Sequence, residues 1–310
     1  MQTAIIIVTY NGLRWIKRCL ESCGDYPVVV VDNASTDGTV GFIEQQFPNV
    51  ILLKQDTNLG FGQANNLGIS YALNHGAKQV FLLNQDAYLE KGSLKALIAT
   101  QKQHSEFGVI SPIHLTGDGK MYDRQFYNVI NEHHEWLPKN LPDITPKAKP
   151  ISISFVNAAG WLVSKSCLVK VGGFDPLFFH YGEDNNYCQR VLYHGFKVGV
   201  ITTSFIKHDR EHRPKPVYKE GSHTYWTWYM RRLKKRYADV NNTYGSINKL
   251  FIKRLKSFVA SVIKLDCKRS TLLLKELCVI VKHRKVILVS KTRNTIPDTH
   301  YLTVKTTNDY

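Results

Sequence analysis

Residues 27–39, PVVVVDNASTDGT, decide the fold. Four valines in succession form a short, β-branched, uncharged run that is apolar on both faces, which predicts a strand buried inside a parallel sheet. The run stops at Asp32, and Asn33 to Thr39 supply turn and helix-capping residues. Three similar runs surround it: Ala4–Tyr10 (AIIIVTY), Val50–Lys54 and Val80–Asn84 (VFLLN), each expected to be a buried parallel strand. Between them Leu13, Ile16, Leu20 and Cys23 recur at helical spacing, as do Phe61, Ala64, Leu67 and Tyr71. Strands alternating with helices through short connections predict an α/β fold, a mostly parallel sheet covered on both faces. Ligands of such sheets bind beyond the carboxyl ends of the strands. That rule selects Thr9-Tyr10-Asn11, Asp32-Asn33 and Asn84-Gln85-Asp86.

From His114 to Pro150 the periodicity fades, and Pro138, Pro142, Pro146 and Pro150 exclude a continuous helix there. An irregular flap over the site is expected. Order returns with Ile151–Val163, a helix near Ser166–Val171, the Gly172-Gly173 turn, a helix opening near Glu183 and a strand at Lys197–Thr202. The expected organisation is a catalytic domain over 1–210, with a nucleotide-binding half (1–112), a variable loop (113–150) and an acceptor half (151–210). A basic, mainly helical region would follow over 211–310.

Charge separates these parts. Residues 1–204 hold 17 Lys/Arg and 17 Asp/Glu, whereas residues 205–310 hold 24 against 8, so the net +16 lies in the last third. Such a segment attracts phosphate-bearing partners: nucleic acid, anionic lipid headgroups or a diphosphate-linked substrate. Within it, Ile247, Leu250, Phe251, Leu255, Phe258, Val259, Val262 and Ile263 fall on one helical face, with Lys249, Lys253 and Lys256 elsewhere. That pattern suits either a helix lying on an anionic membrane surface or a helical subdomain with a solvated exterior. The neutral first two thirds argue against nucleic acid as a partner there. The six cysteines form no CxxC pair, so reduced, mostly buried thiols of a cytosolic protein are expected. The N-terminus lacks the pattern of a secretion signal, and no run of about 18 apolar residues suggests a spanning helix.

Taken singly, the polar motifs are ambiguous. Asp32 suits a ribose or nucleobase contact, but both it and Asp37 also suit turn and helix capping. Asp86, at an exposed strand end, suits Mg²⁺ or Mn²⁺ bridging a diphosphate, though a plain turn is the blander reading. Asn58-Leu59-Gly60-Phe61-Gly62-Gln63-Ala64-Asn65 approaches a phosphate loop, yet Asn65 stands where the third glycine of GxGxxG belongs. Glu183 and Asp184 open a helix, where its dipole stabilises carboxylates and one of them can serve as a general base. A strand-end His208 is, without context, more often structural than a ligand.

In order and spacing, IIIVTYN, VVVVDNASTDGT, NLGFGQANNLGI, FLLNQDAYL, VGGFDPLFFHYGEDNNYCQRVLYHGFKVGV and IKHD resemble glycosyltransferase family 2, with its GT-A fold, over residues 3–210. The wording is most similar to the rhamnosyltransferase-like branch that builds bacterial O-antigen and capsule. The resemblance implies an inverting transferase that takes a UDP- or dTDP-linked sugar to a hydroxyl of a lipid-diphosphate-linked glycan, in the cytoplasm or peripherally on the plasma membrane. It places Thr9, Tyr10, Asn11, Asp32, Asn33, Asn58, Gly60, Asn65 and Asn84 around the nucleotide sugar. Asp86, in the DxD position, would hold Mg²⁺ or Mn²⁺, with His208 joining the metal shell. Asp184 would be the base, with Gly160, Trp161 and Glu183 on the acceptor side. Two departures stand out: Asn84 replaces the first acid of DxD, and Asn186 the last acid of EDxD. The rival readings are a sugar nucleotidylyltransferase, which wants a basic glycine loop after the first strand, and a nucleic-acid-binding protein using the basic region.

Overall fold

The computed structural model describes all residues except 135, 136, 142, 143, 145, 148, 211–217, 243, 244 and 306–310. The chain divides into two units, Met1–Arg213 with Pro297–Tyr310, and Pro214–Ile296.

The first unit is built on a nine-stranded sheet: β1 (Thr3–Thr9), β2 (Val28–Asp32), β3 (Ile51–Lys54), β4 (Gln79–Asn84), β5 (Ala87–Leu89), β6 (Phe107–Thr116), β7 (Ile151–Ile153), β8 (Gly160–Ser164) and β9 (Lys197–His208). The order is β3-β2-β1-β4-β8-β6-β9-β5, with β7 also on β9. β1, β2, β3 and β4 pair in parallel, as do β6 and β9, while β8, β5 and β7 run against their neighbours. Successive residues of β1 point to opposite faces, and both faces are covered. Ile5 and Ile7 pack with Ile16 and Leu20 of α1 (Leu13–Ser22), Ile43 of α2 (Thr39–Gln46) and Leu97 of α4 (Ser93–Gln103). Ala4 and Ile6 pack on the other side with Ile69 and Leu73 of α3 (Gly60–Asn74), Leu168 of α6 (Lys165–Val171) and Val191 of α7 (Glu183–Tyr193).

Three expectations need correction. β3 is an edge strand and only half-buried. The segment 113–150 is not irregular throughout: β6 runs to Thr116, and α5 spans Arg124–His134. Asp123 caps α5 by accepting from the Phe126 amide (2.8 Å), and Phe126 and Ile130, one turn apart, are buried. Pro142 lies outside the described residues. Finally, the region after 210 does not stay apart to its end. The Thr303 amide donates to Ser70 Oγ (3.0 Å), the Lys305 amide to Asn74 Oδ1 (2.8 Å), and the Gly173 amide to the His300 carbonyl (2.7 Å).

The second unit contains α8 (His223–Tyr237), α9 (Ile247–Ile263) and α10 (Cys267–Arg293), and α10 packs against both others. The apolar runs at 272–281 and 286–289 belong to the single helix α10. Among the described residues no helix is long and apolar enough to cross a membrane.

Candidate active site

Register alone gathers the strand ends. Thr9 lies opposite Asp32, Val8 opposite Asn84, and both Thr116 and Ala87 opposite His208. Asp32, Asn84, Asp86 and His208 therefore share one rim of the sheet, although they come from four strand ends.

Most of the polar side chains on this rim hold its loops. Asp32, 2% exposed, accepts from the Ser35 amide (2.9 Å) and hydroxyl (2.5 Å). Asn33 donates to the Gly60 carbonyl (3.2 Å) and accepts from the Leu59 amide (3.2 Å), tying β2 to the start of α3. Asn11 accepts from the Thr36 amide (2.8 Å), and Asn58 from the Gly60 amide (2.9 Å). Asp37 accepts from the amides of Leu13 and Thr39 (both 3.1 Å), capping α1 from outside. Partial burial pulls its carboxyl up, but these bonds and that from the Thr39 hydroxyl outweigh it and leave it below the usual value. Gln85, one of the strand-end residues but given no role by the sequence, clamps β1 to β4. Its Oε1 accepts from Thr9 Oγ1 (2.7 Å) and the Tyr10 amide (2.9 Å), and its Nε2 donates to the Tyr10 carbonyl (3.2 Å). Thr9 is fully buried in that clamp, whereas Tyr10 is 47% exposed.

The glycine loop serves packing. A Cβ on Gly60 (φ +79) would meet the Phe179 carbonyl oxygen at 2.1 Å, and one on Gly62 would meet Phe174 at 2.8 Å. These approaches seat the segment before α7 on the start of α3. Asn65 is buried and donates to the Phe61 carbonyl (2.9 Å), which turns its amide inward. Tyr181 (φ 66) and Gly182 (φ 101) then turn the chain left-handed into α7, whose first turn carries Glu183, buried, and Asp184, partly exposed. Asn11 (φ 48) and Ala34 (φ 63) share that conformation at the ends of β1 and β2. Non-glycine residues held this way cost about 1–3 kcal/mol each and gather at functional sites.

His208 lies at the centre of a buried polar chain. Its Nε2 is 3.4 Å from Asp86 Oδ1, and its Nδ1 is 3.7 Å from Asp123 Oδ2. Asp86 and His208 are each 1% exposed, and among the described residues neither His208 nitrogen has a hydrogen-bond partner. Asp123 is paired through both oxygens with Arg210. Burial alone would raise the Asp123 carboxyl, but the hydrogen bonds and charge of Arg210 hold it below its usual value. Next to His208 the imidazole of His114 is pushed well below its ordinary value by burial first and by His208 second, so it stays neutral. A buried imidazole with both nitrogens unsatisfied is costly, and a cation at Nε2, shared with Asp86, would relieve it. Among the described residues no three His, Cys, Asp or Glu converge as a metal cage. Mg²⁺ or Mn²⁺ needs few protein donors, because water and substrate phosphate fill its remaining positions. The residues present fit such an ion.

Two acceptor-side expectations are corrected. Trp161 is 0% exposed, its ring set against Phe174 (6.2 Å) and Tyr187 (5.9 Å), so it supports the sheet from within. Gly160 is also buried; a Cβ there would meet Ile206 at 2.9 Å.

The sheet order, with helices on both faces and polar side chains gathered at one rim, is that of the GT-A fold. The family model "Glycosyl transferase family 2" matches residues 4–172, and the chain belongs to that family. It is a glycosyltransferase that uses a nucleotide sugar. The chain is 27% identical over 235 residues to the N-acetylglucosaminyl-diphospho-decaprenol L-rhamnosyltransferase of Mycobacterium tuberculosis, covering 67% of this chain and 76% of that one. It is 28% identical over 200 residues to the dTDP-rhamnosyl transferase RfbF of Shigella flexneri, covering 63% and 65% respectively. Its fold is similar to S. aureus TarS 1-349 in complex with UDP-GlcNAc, with TM-score 0.58, 15% identity, and coverage of 95% of this chain and 88% of that one. It also resembles the mannosyltransferase PcManGT from Pyrobaculum calidifontis in complex with GDP-Man and Mn²⁺, with TM-score 0.52, 18% identity, and coverage of 94% and 79%.

Proposed function

We propose that this chain is an inverting glycosyltransferase that moves a rhamnosyl or hexosyl group from a dTDP- or UDP-sugar to a hydroxyl of a lipid-diphosphate-linked glycan. The step belongs to surface polysaccharide synthesis at the cytoplasmic side of the membrane. The observation that carries this reading is the buried Asp86–His208 pair at the strand rim. The rhamnosyltransferase names of two relatives favour the donor and acceptor classes.

Asp86 and His208 would hold a divalent cation, which supplies positive charge against the donor diphosphate. Tyr10, exposed beside the Asp32 turn, offers a ring face to the nucleobase. Asp184 accepts the proton of the acceptor hydroxyl as that oxygen bonds to the anomeric carbon from the face opposite the leaving diphosphate. The bond from the anomeric carbon to the diphosphate breaks in the same step, so the configuration inverts. Asp184 stands in the first turn of α7, where the helix dipole favours an anion.

A panel of nucleotide sugars scored by thermal stabilisation and slow donor hydrolysis tests the reading. A dTDP- or UDP-sugar should stabilise the protein and be hydrolysed, EDTA should abolish hydrolysis, and Mn²⁺ should restore it. Binding of none of the panel, or hydrolysis undiminished in EDTA, overturns it.

A further inference from the structure

The second unit carries the entire net charge. Its residues 214–296 hold 20 Lys/Arg and 4 Asp/Glu, a net of +16 equal to that of the whole chain. The same unit exposes apolar side chains in register with its helices. On α9, Ile252 (52% exposed), Leu255, Val259, Val262 and Ile263 (76%) recur at three- and four-residue steps, with Lys249, Lys253 and Lys256 alongside. The face expected to be a single apolar stripe is thus split: Ile247 is buried, whereas this second stripe faces solvent. On α10, Leu274, Val281 and Leu288 repeat the pattern at seven-residue steps. Phe251 of α9 joins Val281 and Leu288 of α10 in a groove of about 370 Å³, whose remaining walls are Arg284 and Lys285. At the α9–α10 turn Leu265 is 85% exposed.

We infer that the α9–α10 hairpin is a docking surface for an anionic lipid bilayer. Ile263 and Leu265 enter the acyl boundary, and the flanking lysines and arginines reach back to lipid phosphates. Charge complementarity selects this occupant. An apolar stripe bordered by cations matches a surface that is apolar below and negative above. A second copy of the unit would bring net +16 against net +16, and nucleic acid would leave the apolar stripe in water.

The test uses the full chain and vesicles of phosphatidylglycerol and phosphatidylcholine in equal parts, beside pure phosphatidylcholine vesicles. The protein should co-sediment with the first and far less with the second, and salt should weaken the binding. The double variant Ile263→Ser/Leu265→Ser should lose about tenfold in partitioning while its circular dichroism and donor hydrolysis stay unchanged. Four outcomes overturn the inference: no co-sedimentation of the wild type, equal partitioning of the double variant, release from the vesicles by duplex DNA, or a dimer that the double substitution abolishes. Donor hydrolysis is read separately, so failure of docking is distinguishable from failure of the sugar-transfer reading.

Discussion

Nε2 of His208 lies 3.4 Å from Oδ1 of Asp86, because β5 and β9 pair with Ala87 opposite His208. The amide of Asp209 also donates to the Asp86 carbonyl at 2.8 Å, so backbone bonds fix the spacing of the two donor groups.

Removing the Asp86 donor, or the carboxylate behind His208, should act on metal affinity. Asp86→Asn should abolish Mn²⁺ binding measured by titration calorimetry. Asp123→Asn keeps the α5 cap but loses the charge beside His208 Nδ1, and should weaken Mn²⁺ binding about 10-fold or more. Unchanged affinity in Asp123→Asn would remove its role in orienting the imidazole.

Asp184→Asn should lower kcat by about 10²–10⁴ while nucleotide affinity stays within a few-fold. The carboxyl of Glu183, on the same helical turn, is buried, so Glu183→Gln should act on thermal stability more than on rate. Wild-type turnover in Asp184→Asn would require another base.

Gly12→Ala should disrupt the clamp between the first and fourth strands. A Cβ there would meet Gln85 Oε1 at 2.3 Å and Thr9 Oγ1 at 2.6 Å. The expected result is weaker nucleotide-sugar binding by fluorescence titration, with Gln85→Ala showing the same defect. Wild-type binding in both would make the clamp dispensable.

Asp37→Ala should cost about 1 kcal/mol at neutral pH, the usual value of a lost cap. Because these hydrogen bonds hold the folded carboxyl below the usual carboxylate value, the contribution is complete above that usual value and fades as pH falls through the depressed folded one. Denaturation of wild type and variant should therefore converge in acid; a difference that persists there would argue against a charge-dependent cap.

How much of this was legible in the sequence depends on the range of each interaction. The four strands near the N-terminus were readable because β-branched apolar runs ending in turn residues have few other solutions. The half-burial of β3 was not, since edge and central strands can share a composition. Helix α5 was hidden because its packing signal, Phe126 and Ile130, is a single pair beside a proline-rich stretch. The acids at the rim were readable from strand ends, but the contacts that Gln85, Asp123 and Arg210 make were not. Their partners lie 76, 85 and 87 positions away in sequence, and nothing local distinguishes them from surface polar residues. Trp161 was misread because an aromatic near a predicted site looks the same whether it faces ligand or core.

The return of the chain at Pro297 makes the basic helical unit an excursion moored at both ends. His300 occupies the space beside Gly172 where a Cβ would sit 2.3 Å from its carbonyl oxygen, and the Arg190 guanidinium lies 5.4 Å over the Tyr301 ring. Cutting the polypeptide after residue 210 would therefore remove, with the helices, the segment that roofs α6 and α7. Excision of 214–296, with a flexible linker in its place, would spare that roof, and is the deletion by which the two units can be assayed apart.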